Sequence, residues 1–307
     1  MDLIGAAVLM AGVVCLLLAL QWGGTVYPWS DSRVWGCLLG FGLITILFIA
    51  LQLWRGEKAT IPPHVMSQRS IAFGCAFMAF LSMALYSHIF YLPFYFQAVK
   101  GTTAEGSGIR TIPYLVSITL SSIVVGGLIT TFGFYSPFMW LSGALFTIGA
   151  GLLYTLKVDS DAGKWIGYQL LAGIGAGAGI QVPFISTQVM LPPKDLPSGN
   201  ALTIFFNTLG GAISVSIAQN IFSNSLSEQL VQNVPQIDPS VVVRAGATYI
   251  RDVVPEALLD AVLVAYNAAI MRTFILPIAV GGIAFLASLG MEWGTVKGKK
   301  LELAPGA

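Results

Sequence analysis

Charge is what this chain has least of. Of its 307 residues only 9% are Asp, Glu, Lys or Arg, against about a quarter in a soluble domain. The two signs nearly cancel, 15 basic against 14 acidic. So little charge, beside 56% hydrophobic residues, excludes a soluble globular protein, a disordered chain and an electrostatically held nucleic-acid binder. Cysteine is scarce too. Cys15, Cys37 and Cys75 all lie inside apolar runs, which leaves no disulfide framework, and no Cys-x-x-Cys or His/Cys cluster suggests a metal. A basic leader is missing as well. Asp2 stands where a signal peptide carries Lys or Arg, and the apolar run behind it is too long for one, so it reads as a genuine span. No nucleophile–base pair, aspartate-rich motif or phosphate loop stands out, and nothing calls for a cofactor or argues for an enzyme.

What is present is a series of apolar runs about as long as a bilayer core requires, roughly 20 residues. They lie at about 3–21, 34–54, 71–97, 114–132, 138–156, 165–191, 201–222 and 273–291. Barrel strands would be about half that length and alternate in polarity. The expected fold is therefore an all-α polytopic membrane protein, because helices satisfy their own backbone in lipid. Trp22, Trp29, Trp35, Trp54, Trp165 and Trp293 fall at span ends, as an interfacial aromatic belt predicts. The connectors are short except for one at about 223–272, where Asp238-Pro239 and Pro255-Glu256 mark helix starts. Two or three short amphipathic helices on the membrane surface are expected there. A ninth span through Ala257 to Met271 would be short and would hold Asp260 and Asn267. An even span count puts both chain ends on one side. Loop charge does not choose the side, but the basic tail with Lys297, Lys299 and Lys300 leans cytoplasmic.

The spans contain no Asp, Glu, Lys or Arg at depth, so no proton carrier is visible in them. Neutral polar groups take that place. His88 is followed one and two turns later by Tyr91 and Tyr95, on roughly one helix face. That trio suits a cargo-contacting wall or a relay, or a histidine satisfied by a neighbouring helix. Gly173, Gly175, Gly177 and Gly179 form two interleaved Gly-x-x-x-Gly pairs, which permit close helix packing. A dinucleotide loop would need a preceding strand that is absent. Gln169, Gly173, Gly177 and Gln181 form a small, polar row that lines a cavity or bonds across helices. Asn207, Gly211 and Ser214 share another face, for which path lining and interhelical bonding are equally open. Ser117, Ser121 and Ser122 are expected to bond to their own backbone. A weak repeat relates Pro93-Phe94 with Ser107-Gly108 to Pro183-Phe184 with Ser198-Gly199. An offset of three spans would make it an inverted one.

The stretch Leu16 to Gly24 with Tyr27-Pro28-Trp29 resembles a span exit in fungal fourteen-span drug:proton antiporters of the major facilitator superfamily. Tyr91 to Gln97 with Ser107-Gly108-Ile109-Arg110 and Ile112-Pro113 is similar to the same family, as is Gly173 to Pro183 with Leu191-Pro192 and Asp195. The resemblance implies spans seven to fourteen: two accessory helices over 1–60, then a C-terminal six-helix bundle over 61–307. It implies a cytoplasmic N-terminus and export of small hydrophobic drugs or secondary metabolites, across the plasma membrane in preference to a vacuolar or vesicular one. The family's N-terminal six helices, with its signature helix and proton-linked acidic residue, have no counterpart here. The expectation is a truncated product, a fragment or half of a transporter, met by a complementary half or another transporter. His88, Tyr91, Tyr95, Gln181 and Asn207 are the candidate wall residues, chosen for polarity at span depth. A siderophore transporter of the same fold and a non-transporting half that modulates a full transporter are the rival readings.

Overall fold

The computed structural model describes residues 2–297; Lys299 and Lys300 lie outside the described residues. Among those described, eight helical stretches are long and apolar enough to cross a membrane. The first two, α1 (Leu3–Trp22) and α2 (Ser32–Arg55), form an antiparallel pair. Asp31 starts α2 by accepting the Arg33 N–H at 2.8 Å. A short turn, α3 (Pro63–Met66), leads into α4 (Arg69–Phe94), which runs on through a π turn at Tyr95–Val99. Then come α5 (Ala104–Phe132), capped by the Thr103 hydroxyl, and α6 (Ser136–Tyr154). The next span is α7 (Ala162–Ile180) and α8 (Val182–Met190), broken at Gln181. It is followed by the long α9 (Leu196–Asn233) and by α10 (Pro239–Val253). The last span is α11 (Glu256–Thr273) and α12 (Ile275–Leu289), broken at Phe274.

Proline explains both breaks. Pro183 and Pro277 have no N–H, so the carbonyls of Gly179 and Thr273 lose their helical donors. The Gly179 carbonyl takes the Gln181 N–H instead. The irregular end of α4 follows Pro93 in the same way.

α4 is the hub of a six-helix bundle. It packs against α9 and α12, while α5 and α6 both flank α7 and α12 closes against α6. The approach is close where side chains vanish. A Cβ on Gly210 would run into the Ala79 backbone of α4. Gly173 and Gly177 face the backbone of α5 at Tyr114 and Ile118, whereas Gly175 and Gly179 face α6 at Phe146 and Ser142. The two interleaved glycine pairs thus serve two different neighbours. The main buried apolar cluster includes no residue of α1 or α2, which pack on each other and lean on α9 through α1.

The region read as a connector is largely helical and continuous with the spans. α9 has 38 residues, about 57 Å of helix, and Glu256–Leu289 has 34, about 51 Å, against a hydrocarbon core of about 30 Å. Asn220 donates to the Leu20 carbonyl at 2.7 Å, near the Trp22 end of α1. The part of α9 beyond that level therefore stands clear of the bilayer. Phe222, Leu226 and Leu230 continue a buried stripe at every fourth residue, matched by Val262, Tyr266 and Ile270 on α11. Arg272 and Glu228 form an ion pair between the two helices. Only one surface helix, α10, remains of the two or three expected. It is kinked at Gly246, where φ is 66°, and buries Val242, Ala247 and Ile250 against the bundle's end. The helix that carries the eighth span thus begins at Glu256 and not at Thr273, and 257–271 is its first half, longer than the hydrocarbon core needs, with no ninth span among the described residues.

Candidate functional site

The five polar residues singled out by depth do not form one constellation. His88 is wholly buried at the meeting of four helices. Its ring lies against Phe146 of α6, Phe274 at the α11–α12 break and Tyr114 of α5, with centroids 5.5, 5.0 and 5.9 Å away. Nδ1 stands 3.4 Å from the Tyr114 hydroxyl, and Nε2 has no hydrogen-bond partner among the described residues.

Tyr91 and Tyr95 are equally buried but turn to different neighbours. The Tyr91 hydroxyl donates to Gln219 Oε1 of α9 at 3.0 Å, and its ring packs on Phe94 and Phe222. The Tyr95 hydroxyl donates to the Lys157 carbonyl at 2.8 Å, in the α6–α7 turn. Lys100, just past the π turn, grips the same turn by donating to the carbonyls of Val158 at 2.7 Å and Ser160 at 2.6 Å. Burial holds the Lys100 ammonium below the ordinary lysine pKa, with Asp159 pulling the other way.

Gln181 and Asn207 are half-buried. Gln181 sits at the α7–α8 break, where a helix interruption frees backbone polar groups at span depth. Asn207 directs its amide to Met78 Sδ of α4 at 3.6 Å, a weak acceptor. The small, polar row on α7 turns toward α5. Gln169 Nε2 donates to the Arg110 carbonyl at 3.0 Å, while its Oε1 has no partner among the described residues.

Serine proves more important for holding helices together than its sequence context suggests. Ser142 donates to the Gly175 carbonyl at 2.6 Å and Ser214 to the Met83 carbonyl at 2.5 Å, both across helix boundaries. Ser117 bonds within its own helix, to Tyr114 at 2.9 Å, but Ser121 reaches the Ile174 carbonyl of α7 at 2.9 Å. Ser121 thus departs from the expected self-bonding. The glycines that bring α7 within reach are the only signal that could have shown it.

A second polar cluster was not legible at all. Asp2 is buried and ties the start of α1 to the end of α2. Its carboxylate accepts from the Gly5 N–H at 2.8 Å, Arg55 Nη1 at 2.5 Å, the Thr60 N–H at 3.2 Å and Gln52 Nε2 at 3.3 Å. The Gly5 N–H, aided by Thr60 and Gln52 and opposed by burial, holds this carboxyl below the usual carboxylate range. On the same side of the membrane, His64 of α3 lies 3.2 Å from Asp195 before α9.

No family model matches the chain. It is 43% identical over 304 residues to the MFS-type efflux pump MFS1 of Trichophyton rubrum, covering 99% of this chain and 57% of that protein. It is 42% identical over 302 residues to the MFS-type transporter astH of Aspergillus oryzae, covering 98% and 53%. It is 41% identical over 297 residues to the efflux pump roqT of Penicillium rubens, covering 97% and 55%. The chain thus spans about half the length of the curated relatives it matches. Among solved structures, it is similar in fold to a bacterial homolog of the human lysosomal transporter Spinster, inward-facing and unoccupied. The TM-score is 0.56 at 16% identity, covering 91% of this chain and 64% of that one.

Proposed function

The chain belongs to the MFS-type membrane transporters, and from that premise we propose that it supplies one bundle of a pump exporting small hydrophobic compounds such as drugs or secondary metabolites. The observation that carries this reading is the 43% identity, along 99% of the chain, to a protein named an efflux pump. The transport bundle is the part from residue 61 onward, described to residue 297, and the helices before it are accessory, with no residue in its main apolar cluster. The location is the plasma membrane, and the coupling ion is the proton.

Cargo meets Gln181 and Asn207, which keep part of their surface open and lack strong side-chain partners among the described residues. His88, Tyr91 and Tyr95 lie farther along α4 than Met78, which Asn207 touches, and hold α4 in register with α5, α9 and the α6–α7 turn. The rocking that exposes such a wall to each side in turn would bend at Gln181, Phe274 and the π turn, where backbone pairing is already interrupted. A siderophore reading is weaker, since an anionic cargo favours cationic groups that these five positions do not supply.

The test is efflux of a fluorescent hydrophobic dye from cells expressing this chain, alone and beside a complementary six-helix half, with and without a protonophore. The expected result is gradient-dependent efflux that Gln181→Ala and Asn207→Ala each reduce several-fold at unchanged expression. Unaltered efflux in both variants counts against the wall. A second reading rests on Gly126 and Gly127 of α5, where nothing lies near the absent side chains and another helix could approach closely. A half with that face uncovered would dock on a full transporter and modulate it. Altered efflux only in cells that carry another transporter would favour this reading.

A further inference from the structure

A cavity of about 660 Å³ lies apart from every residue discussed as a cargo contact. Its walls are Gly12 and Leu16 of α1, Ile44 and Phe48 of α2, and Phe205 and Leu209 of α9, with Pro63 and Met66 of α3 across one end. Asn207 faces away from it, toward Met78 of α4. From this space we infer a lipid site: it holds one acyl chain of a bilayer phospholipid, drawn from the leaflet on the side of the α1 N-terminus.

Four observations carry the inference. The first is shape. α1 and α9 are bonded at the far end, Asn220 to the Leu20 carbonyl, and the lining uses nothing beyond Leu16 on α1 or Leu209 on α9. The space is a wedge that is closed near one membrane face and widens toward the other. The second is depth. The lining on α2 runs from Phe41 to Leu53, twelve residues apart and about 18 Å of helix. That is close to half of a bilayer core of about 30 Å, the reach of a tail from one leaflet.

The third is chemistry. Gln52 in the wall is already engaged, Nε2 with Asp2 at 3.3 Å and Oε1 with the Ile61 N–H at 2.8 Å. Ser67 donates to the His64 carbonyl at 3.0 Å. The wall therefore offers little to a polar ligand, and an enclosed water needs two to four polar partners. Nor does packed protein leave so large an apolar space empty when hydrocarbon surrounds it. The fourth is position: α3 lies across the wide end at the level of the span ends, where His64 and Ser67 are exposed to the headgroup zone. A lipid so placed would wedge the α1–α2 pair against α9 and stand in for the side-chain packing that the pair lacks with the bundle.

The site requires only that these helices lie in a bilayer, so it stands or falls independently of export. The test places the full chain in nanodiscs with a phosphatidylcholine that carries a photoactivated diazirine near its tail end. Adducts are then mapped by mass spectrometry. The expected adducts concentrate on Gly12–Leu16 and Phe205–Leu209, several-fold above the outward-facing Leu120 and Ile123 of α5. Filling the wedge with Ile44→Trp removes them several-fold and leaves the α5 adducts unchanged. Leu209→Trp fills it from the opposite wall, so the site can be tested even if one variant misfolds. Equal labelling of wedge and α5, or adducts indifferent to both tryptophans, overturns the site. Displacement of the lipid by a micromolar hydrophobic dye would also overturn it, assigning the wedge to cargo.

Discussion

Gly177 has no room for a side chain. Its missing Cβ would lie in the Ile118 backbone of α5, so Gly177→Val must push two spans apart. The expected loss is about 1–3 kcal/mol, typical of overpacking, read as a lower midpoint of thermal unfolding in detergent. Gly126, with nothing near its absent side chain, is the control: Gly126→Ala leaves the midpoint unchanged or raises it. Asp2 gives a second residue-level prediction, through pH. Its folded-state pKa lies below the unfolded value of about 3.9, so its contribution is present above that value and lost as pH falls through the folded pKa. Unfolding midpoints of wild type should therefore decline more steeply below about pH 4 than those of Asp2→Asn, which starts lower and stays flatter in that range. Identical slopes would remove Asp2 from the account. Lys100 gives a slope of the same sign in a higher pH range, from a penalty that is relieved and not from a gain that is lost. Its folded-state pKa is lowered, so the unfolded chain binds the extra proton and stability rises with pH through its titration.

At the scale of elements, α10 depends on one backbone conformation. Gly246 has φ 66° and ψ −172°, a region essentially reserved for glycine, and nothing lies near its absent Cβ. Gly246→Ala should therefore cost about 1–3 kcal/mol through backbone strain alone. Hydrogen exchange should quicken over 239–253 while α9 and α11 keep their protection. The same elements show what a sequence does and does not reveal. The spans were legible because lipid demands long apolar runs, and the runs end where Trp and charge begin. The upper parts of α9 and α11 were not. Outside the bilayer a helix needs only a stripe such as Phe222, Leu226 and Leu230, and a ruler of mean apolarity stops at Ser223. The candidate wall was legible only as polarity at depth. Whether Tyr91 bonds to α9 or Tyr95 to the α6–α7 turn depends on helix rotation, which an all-round apolar span does not disclose. Asp2 was invisible as a cluster because its partners Gln52, Arg55 and Thr60 lie fifty or more positions away, on the returning helix and just beyond it.

For the whole molecule, eight crossings place Thr25, Lys157 and Gln236 on one side and Glu57, Lys194 and Thr295 on the other. Single cysteines at these positions, in a background with Cys15, Cys37 and Cys75 replaced, should react with an impermeant thiol reagent as two groups from opposite faces. A mixed pattern would contradict the crossing order. The overhang of α9 and α11 has a mechanical consequence. It is a stiff mast, so if the bundle rocks as proposed, small rotations inside the lipid would become larger sideways excursions at its tip. A fluorophore at Gln236 would then report that motion with a built-in gain, far from the candidate wall.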